Sequence, residues 1–188
     1  MVADPGYRLA EAMIAEGLPV IAAPGASAVL TALSVAGLPT DRFMFAGFLP
    51  VKQAARCAGL TDLAAVPATL VFYESPRRLA ATLADMATVL GDRPAAVCRE
   101  LTKKFEETRR GTLATLATHY AESGPPKGEV VIATGPPLAT APTEGDLVAA
   151  LQTALATNTL KDAAAIVAEA TGLPRKQVYA RALELSGK

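Results

Sequence analysis

Several short stretches of this chain set a small residue, a carboxylate or a lysine at the end of an apolar run, which is where α/β folds deliver side chains to ligands. Pro24, Gly25, Ala26, Ser27 and Ala28 read as a strand-to-helix turn. Glycine tolerates close approach, Ser27 can cap the following helix, and the unpaired N–H groups at a helix start can face a polar ligand group. An ordinary turn would carry the same residues. Glu74 and Ser75 follow the apolar run TLVFY, which delivers a carboxylate to a strand end, and Pro76 fixes the turn and starts a helix. Lys127, Gly128 and Glu129 precede a second apolar run, where Gly128 lets the backbone approach a ligand closely or simply makes a turn. Glu100 ends the run AAVCR, with Lys103 close behind. It could orient Arg99 or Lys103, or accept a proton. A carboxylate of ordinary pKa is a weak base and a lysine must first be neutral, so the residues alone do not choose between Glu100 and Lys103.

Metal chemistry is not expected. His119 is the only histidine and lies in a helical pattern, THYAES, which gives it a surface or packing role. Cys57 and Cys98 form no CxxC or Cys/His pattern, and two cysteines in a chain this long fit a reducing cytoplasm. Eighteen basic residues balance eighteen acidic ones, so the chain does not hold nucleic acid by bulk charge. Basic residues nevertheless cluster at Arg77, Arg78, Arg99, Lys103, Lys104, Arg109 and Arg110, which makes a local RNA-facing patch an expectation. Glu100, Glu106 and Glu107 lie among them and could neutralise them as surface pairs.

The elements that position these residues follow from periodicity and punctuation. Asp4 and Pro5 lead into a helix from Tyr7 to Glu16; PVIAA, Pro19 to Ala23, is a short buried-strand candidate. A second helix from about Ser27 to Ala36 is closed by Gly37, and Phe43 to Ala46 reads as a strand. This alternation implies a largely parallel sheet. GFLP, Gly47 to Pro50, marks a change of composition, so an α/β unit over residues 1–47 and a second over 48–137 are expected. The second holds a helix from Val51 to Leu63, strand Thr69 to Tyr73, helix Pro76 to Leu90, strand Ala95 to Arg99, strand Phe105 to Gly111, helix Leu113 to Tyr120 and strand Glu129 to Thr134. The short turn between AAVCRE and FEETRRGT implies an antiparallel pair, hence a mixed sheet. Gly135 to Thr143 is a Pro-rich linker before three short helices, Glu144 to Thr157, Leu160 to Thr171 and Arg175 to Leu185, the last two in helix-turn-helix spacing across Gly172, Leu173 and Pro174. This tail, residues 143–188, reads as a packing module or an accessory RNA contact rather than a DNA reader. No apolar run is long enough to cross a bilayer, and the start lacks a signal peptide's basic head, so a cytoplasmic protein is expected.

Five strings, ADPG at Ala3 to Gly6, PGASAVLTALSVAGLPTDRFMFAGFLP from Pro24 to Pro50, FYESPRRL from Phe72 to Leu79, RELTKKFEE from Arg99 to Glu107 and KGEVVI from Lys127 to Ile132, resemble the RNA ribose methylase branch of the tetrapyrrole-methylase class. The likeness extends to LPRKQVY at Leu173 to Tyr179 in the tail.

The resemblance implies a two-domain α/β methylase with mixed sheets, an incomplete first domain and a helical tail. It implies transfer of a methyl group from S-adenosylmethionine to the ribose 2'-hydroxyl of a cytidine in 16S ribosomal RNA, by a homodimer working without metal. It places Ser27, Ala28, the strand end at Glu74 and the strand start at Gly128 beside the cofactor; Pro24, Gly25 and Glu129, in the same turns, are expected there too, and the residues themselves leave Glu100, Lys103 and Glu74 as the candidates for proton handling. Arg77, Arg78, Arg99, Lys104 and Arg109 become the RNA contacts, with the small ribosomal subunit as partner. The family's opening strand and its SDAGTP-like loop do not occur in this chain, so residues upstream of Met1 are expected to be missing and the isolated chain could be inactive. Two alternatives stay open: a methylase of tetrapyrrole or corrinoid precursors, which needs a largely apolar trough, and a non-catalytic RNA-binding fragment.

Overall fold

The computed structural model describes residues 6–138 and 143–186, which form two compact units parted at Leu138 and Ala139. In the first unit the apolar runs become a five-stranded sheet: β1 (Phe43–Phe48), β2 (Thr69–Glu74), β3 (Pro94–Arg99), β4 (Glu107–Thr112) and β5 (Val130–Thr134), in the order β1-β2-β5-β3-β4. Between them run α1 (Gly6–Ala15), α2 (Ala28–Ala36), α3 (Gln53–Leu63), α4 (Leu79–Leu90) and α5 (Leu113–Ser123). The sheet is mixed, and β3 and β4 form the expected antiparallel pair, with Pro94 opposite Thr112 and Arg99 opposite Glu107. A largely parallel sheet is not found. Only β1 and β2, joined through α3, run parallel; β5 inserts between β2 and β3 and is antiparallel to both.

Alternation along the central strands feeds two cores. Leu70, Phe72, Val97 and Ile132 point to one face, where Leu60, Leu83, Met86, Leu113 and Leu116 cover them. Val71, Ala96, Val131 and Ala133 point to the other, beneath Val29, Ala32, Leu33 and Ala36 of α2. The small residues on this second face leave room for a helix to lie close. On the first face α3 and α4 are fastened by a buried ion pair, Arg56 to Asp85 at 2.5 Å, with Gln53 donating to the same carboxylate at 2.9 Å.

Several expectations change. The boundary after Gly47 falls inside β1, because Gly47 (φ 69°) follows a bulge in that strand and does not open a linker. Both α2 and β1 belong to the same unit as the rest of the sheet, so residues 28–47 do not stand apart. PVIAA is exposed and unpaired rather than a buried strand, since no described strand lies beside it. Helix α1 buries none of its residues, and its expected lead-in at Asp4 and Pro5, like the start of ADPG, lies outside the described residues. Pro76 does not open α4: Pro76–Arg78 form a turn, Arg78 N–H donating to the Ser75 carbonyl at 3.0 Å, and the helix starts at Leu79.

The second unit contains α6 (Glu144–Leu155), α7 (Leu160–Thr171) and α8 (Arg175–Leu185), near the expected bounds. Thr143 and Asp146 cap α6 reciprocally, and Gly172, in the left-handed region at φ 68°, ends α7 so that Leu173 and Pro174 can turn the chain into α8. Leu147, Leu151, Ala164, Val167, Val178 and Ala182 form its own core. Residues 139–142 of the expected Pro-rich linker lie outside the described residues.

Candidate functional site

Parallel pairing of β1 with β2, and antiparallel pairing of β2 with β5, bring the carboxyl ends of β1 and β2 to the same edge as the start of β5. A cavity of about 480 Å³ opens there, within the range of small-molecule sites. Its walls are Phe48 from β1, Tyr73 and Glu74 from β2, the Ser75–Pro76 turn, Gly128 to Val131 leading into β5, and Ala28 at the start of α2. Four of the expected cofactor residues, Ala28, Glu74, Gly128 and Glu129, thus share one cavity. Pro24, Gly25 and Ser27 do not line it; Pro24 and Gly25 sit in the exposed segment before α2. Ser27 occupies the N-cap position, but its side chain does not cap, which corrects the expectation. The first amides of α2 therefore have no side-chain acceptor from their own cap and remain available to an outside one.

Tyr73 and Phe48 were not singled out by sequence reasoning. Tyr73 stands edge-on to Phe45 at 4.7 Å and to Phe48 at 5.6 Å, building an aromatic wall. Burial, then the Glu129 charge, raises the Tyr73 phenol above its ordinary value, so it remains a hydroxyl donor at neutral pH. The available signal was a polar-tipped aromatic near the end of an otherwise apolar run.

Glu74 lines the cavity, but its carboxylate is only 1% exposed. It accepts from its neighbour Ser75 N–H at 2.6 Å, from Thr82 hydroxyl at 2.7 Å, and pairs with Arg78 at 2.5 Å. These partners tie the carboxylate to the Ser75–Arg78 turn and to α4. Ser75 is not the cap of α4; Arg78 holds that position.

Glu100 and Lys103 meet at the rim. The Glu100 carboxylate accepts from Glu129 N–H at 2.9 Å and from the Lys103 ammonium at 3.0 Å, and the same ammonium reaches Glu129 at 2.9 Å. Gly128 has φ 95°, and a Cβ added there would collide with the Glu100 side chain. Its lack of a side chain therefore makes room for Glu100, while Gly128 itself lines the cavity. The Glu129 N–H, then Lys103, holds the Glu100 carboxyl below its ordinary value. Glu129 and Glu100 hold Lys103 above its own. Both shifts oppose service as a proton acceptor and favour a fixed ion pair shaping the rim.

The basic cluster divides. Arg78 is spent on Glu74 and the Leu49 carbonyl; Arg99 and Arg109 share Glu107; Arg110 donates to the Val35 carbonyl. Among the described residues, Arg77 and Lys104 have no carboxylate partner. His119 stands edge-on to Tyr120 at 4.9 Å, a packing contact.

A family model described as Tetrapyrrole (Corrin/Porphyrin) Methylases matches residues 1–117. The chain belongs to this family. A second model, described as the RsmI C-terminal HTH domain, matches residues 141–186. Among curated relatives, ribosomal RNA small subunit methyltransferase I of Mesorhizobium japonicum is 50% identical over 98% of this chain and 63% of its own length. The proteins of that name from Pseudomonas aeruginosa and Mycobacterium tuberculosis are 42% and 46% identical, over 100% and 98% of this chain and 68% and 65% of their own lengths. The chain thus spans about two thirds or less of these relatives. Of solved structures, a cobalt precorrin-4 methyltransferase aligns with a TM-score of 0.50 and 21% identity over 70% of this chain and 58% of its own, a likeness of fold. No described helix is long and apolar enough to cross a membrane.

Proposed function

We propose that this chain serves transfer of a methyl group from S-adenosylmethionine to the ribose 2'-hydroxyl of a cytidine in 16S ribosomal RNA. The observation that carries the reading is the cavity at the shared strand edge, together with relatives named for small-subunit ribosomal RNA methylation. Its walls suit a nucleoside-bearing ligand: the Phe48 and Tyr73 rings, aliphatic Ala28, Val130 and Val131, and uncapped amides at the start of α2. The bound donor would supply an electrophilic methyl group on a positively charged sulfur.

Ala28, Phe48, Tyr73 and Glu129 would hold the donor, which would supply the methyl group, and the acceptor hydroxyl would release its proton to solvent. Glu100 and Lys103, shifted away from base behaviour, do not take that proton. They fix Glu129 and the backbone beside Gly128, and alignment of donor and acceptor supplies the rate. Arg77 and Lys104 are the cations best placed to meet RNA phosphates, with Arg99 and Arg109 able to exchange Glu107 for a phosphate. The small ribosomal subunit is the partner in this reading. A homodimer accords with the exposed apolar side chains of Tyr7, Leu9, Ile14, Leu18, Val20 and Ile21.

The deciding experiment titrates the chain with S-adenosylmethionine by calorimetry, then incubates it with labelled donor and small ribosomal subunits lacking the modification. Binding, with label in a nuclease-resistant 2'-O-methyl cytidine, is expected. Absence of donor binding would overturn the reading for this chain.

A further inference from the structure

The loop between β3 and β4, residues 100–106, has a feature the methyl-transfer reading leaves unused. Glu100 (φ 50°) and Thr102 (φ 64°) both occupy the left-handed region, unfavourable for side chains other than glycine's and most of all for a β-branched one. The surroundings hold them there. Glu100 N–H donates to the Glu129 carbonyl at 3.0 Å, Thr102 N–H to the Glu106 carboxylate at 2.7 Å, and Lys103 N–H to the Glu100 carbonyl at 3.0 Å.

The strained turns carry Phe105 outward, 64% exposed, and it belongs to none of the hydrophobic cores. The Lys104 ammonium lies 5.6 Å from its ring centroid. The neighbouring anions are engaged: Glu106 with Thr102 N–H, Glu107 with Arg99 and Arg109, Glu100 with Lys103. What the loop presents is one aromatic plane beside one cation without a carboxylate, too small an apolar area for a protein interface. A flat ring with an adjacent positive charge matches a nucleobase and its phosphate.

We propose that this loop is a stacking contact for an unpaired RNA nucleotide, with Phe105 under the base and Lys104 at a flanking phosphate. The proposal rests on the RNA reading above and deepens it. Because Lys103 bridges the loop to Glu129 on the cavity wall, a nucleotide held there is tethered next to the site of transfer.

The test measures binding of the full chain to a labelled single-stranded cytidine oligoribonucleotide by fluorescence anisotropy at several salt concentrations. Phe105→Ala and Phe105→Leu should each weaken binding about tenfold with the salt slope unchanged, and Phe105→Trp should retain it. Lys104→Gln should lower the slope by about 0.7, the share of one phosphate contact on a single strand. Thermal melts check folding, which this exposed side chain does not support. If wild type binds and Phe105→Ala or Phe105→Leu binds equally well, the stacking proposal falls while the RNA reading stands. If wild type binds no RNA, in the oligonucleotide or in small subunits, both fall.

Discussion

Gly128 and Glu100 occupy each other's space, so each is sensitive to change in the other. Gly128→Ala places a side chain at φ 95° and against the Glu100 carboxylate. The backbone conformation alone costs about 1–2 kcal/mol. The thermal midpoint should fall and, as Glu129 N–H loses its acceptor, donor affinity measured by calorimetry should drop about tenfold, as for loss of one charge-assisted hydrogen bond. Unchanged affinity would show that this rim does not meet the donor. Acid acts on the same cluster. The Glu129 N–H depresses Glu100 and Arg99 depresses Glu107, each below an ordinary value of 4.5. A depressed carboxyl adds stability that is complete above its unfolded pKa and is lost as pH falls through the folded one. Lys103, raised above 10.5, keeps its contribution throughout neutral pH and loses it only in stronger base. Carbon-detected titration of Glu100 and Glu107 should therefore give midpoints below 4.5, and midpoints at or above it would break the network. Glu100 was legible in the sequence as a carboxylate at a strand end. Its link to Lys103 was open to sequence reasoning, but its contact with Glu129 was not, since Glu129 becomes its neighbour only through the pairing of β3 with β5.

Among the elements, the most exacting contact is the one between α3 and α4. Asp85→Ala leaves the Arg56 charge buried with only the Val51 carbonyl as a hydrogen-bond acceptor, at 3.0 Å. Removing one partner of a buried pair costs about 3–5 kcal/mol, and the surviving bond argues for the lower end. Phe72→Ala opens β2 at the centre of the larger core, at a cost of about 3–5 kcal/mol. Denaturant unfolding measures both, and a change under about 1 kcal/mol in either would contradict the packing described. The strands TLVFY and EVVIAT were readable because they are buried on both faces and so lack polar alternation. β4, ETRRGT, was readable only through its neighbour, since half of it is charged and none of it is a large apolar residue. PVIAA misled because an apolar run says what a strand would bury without saying what would pair with it.

At the scale of the molecule, two units with separate cores imply two stabilities. Leu151→Ala removes a fully buried side chain from the helical unit, at a cost of about 2–5 kcal/mol. Hydrogen exchange should show lost protection in α6, α7 and α8, while amides of β2 and β5 retain theirs. Loss of protection in both sets would mean that the cores do not act separately. Helix bounds in this unit were legible from Thr143, Gly172 and Pro174, which punctuate the chain locally. The order of strands was not, because nothing in the local pattern places β5 between β2 and β3.

That placement governs how the first unit comes into being. The strand at the heart of the sheet is the last to be synthesised, so β2 and the β3–β4 hairpin have no common neighbour until Val130–Thr134 arrives. Partners so distant along the chain make for slow assembly and leave two open strand edges on the nascent polypeptide. A nascent chain stalled with β5 still inside the ribosome should be readily cleaved by protease and bound by chaperones, and emergence of Val130–Thr134 should be enough to close it.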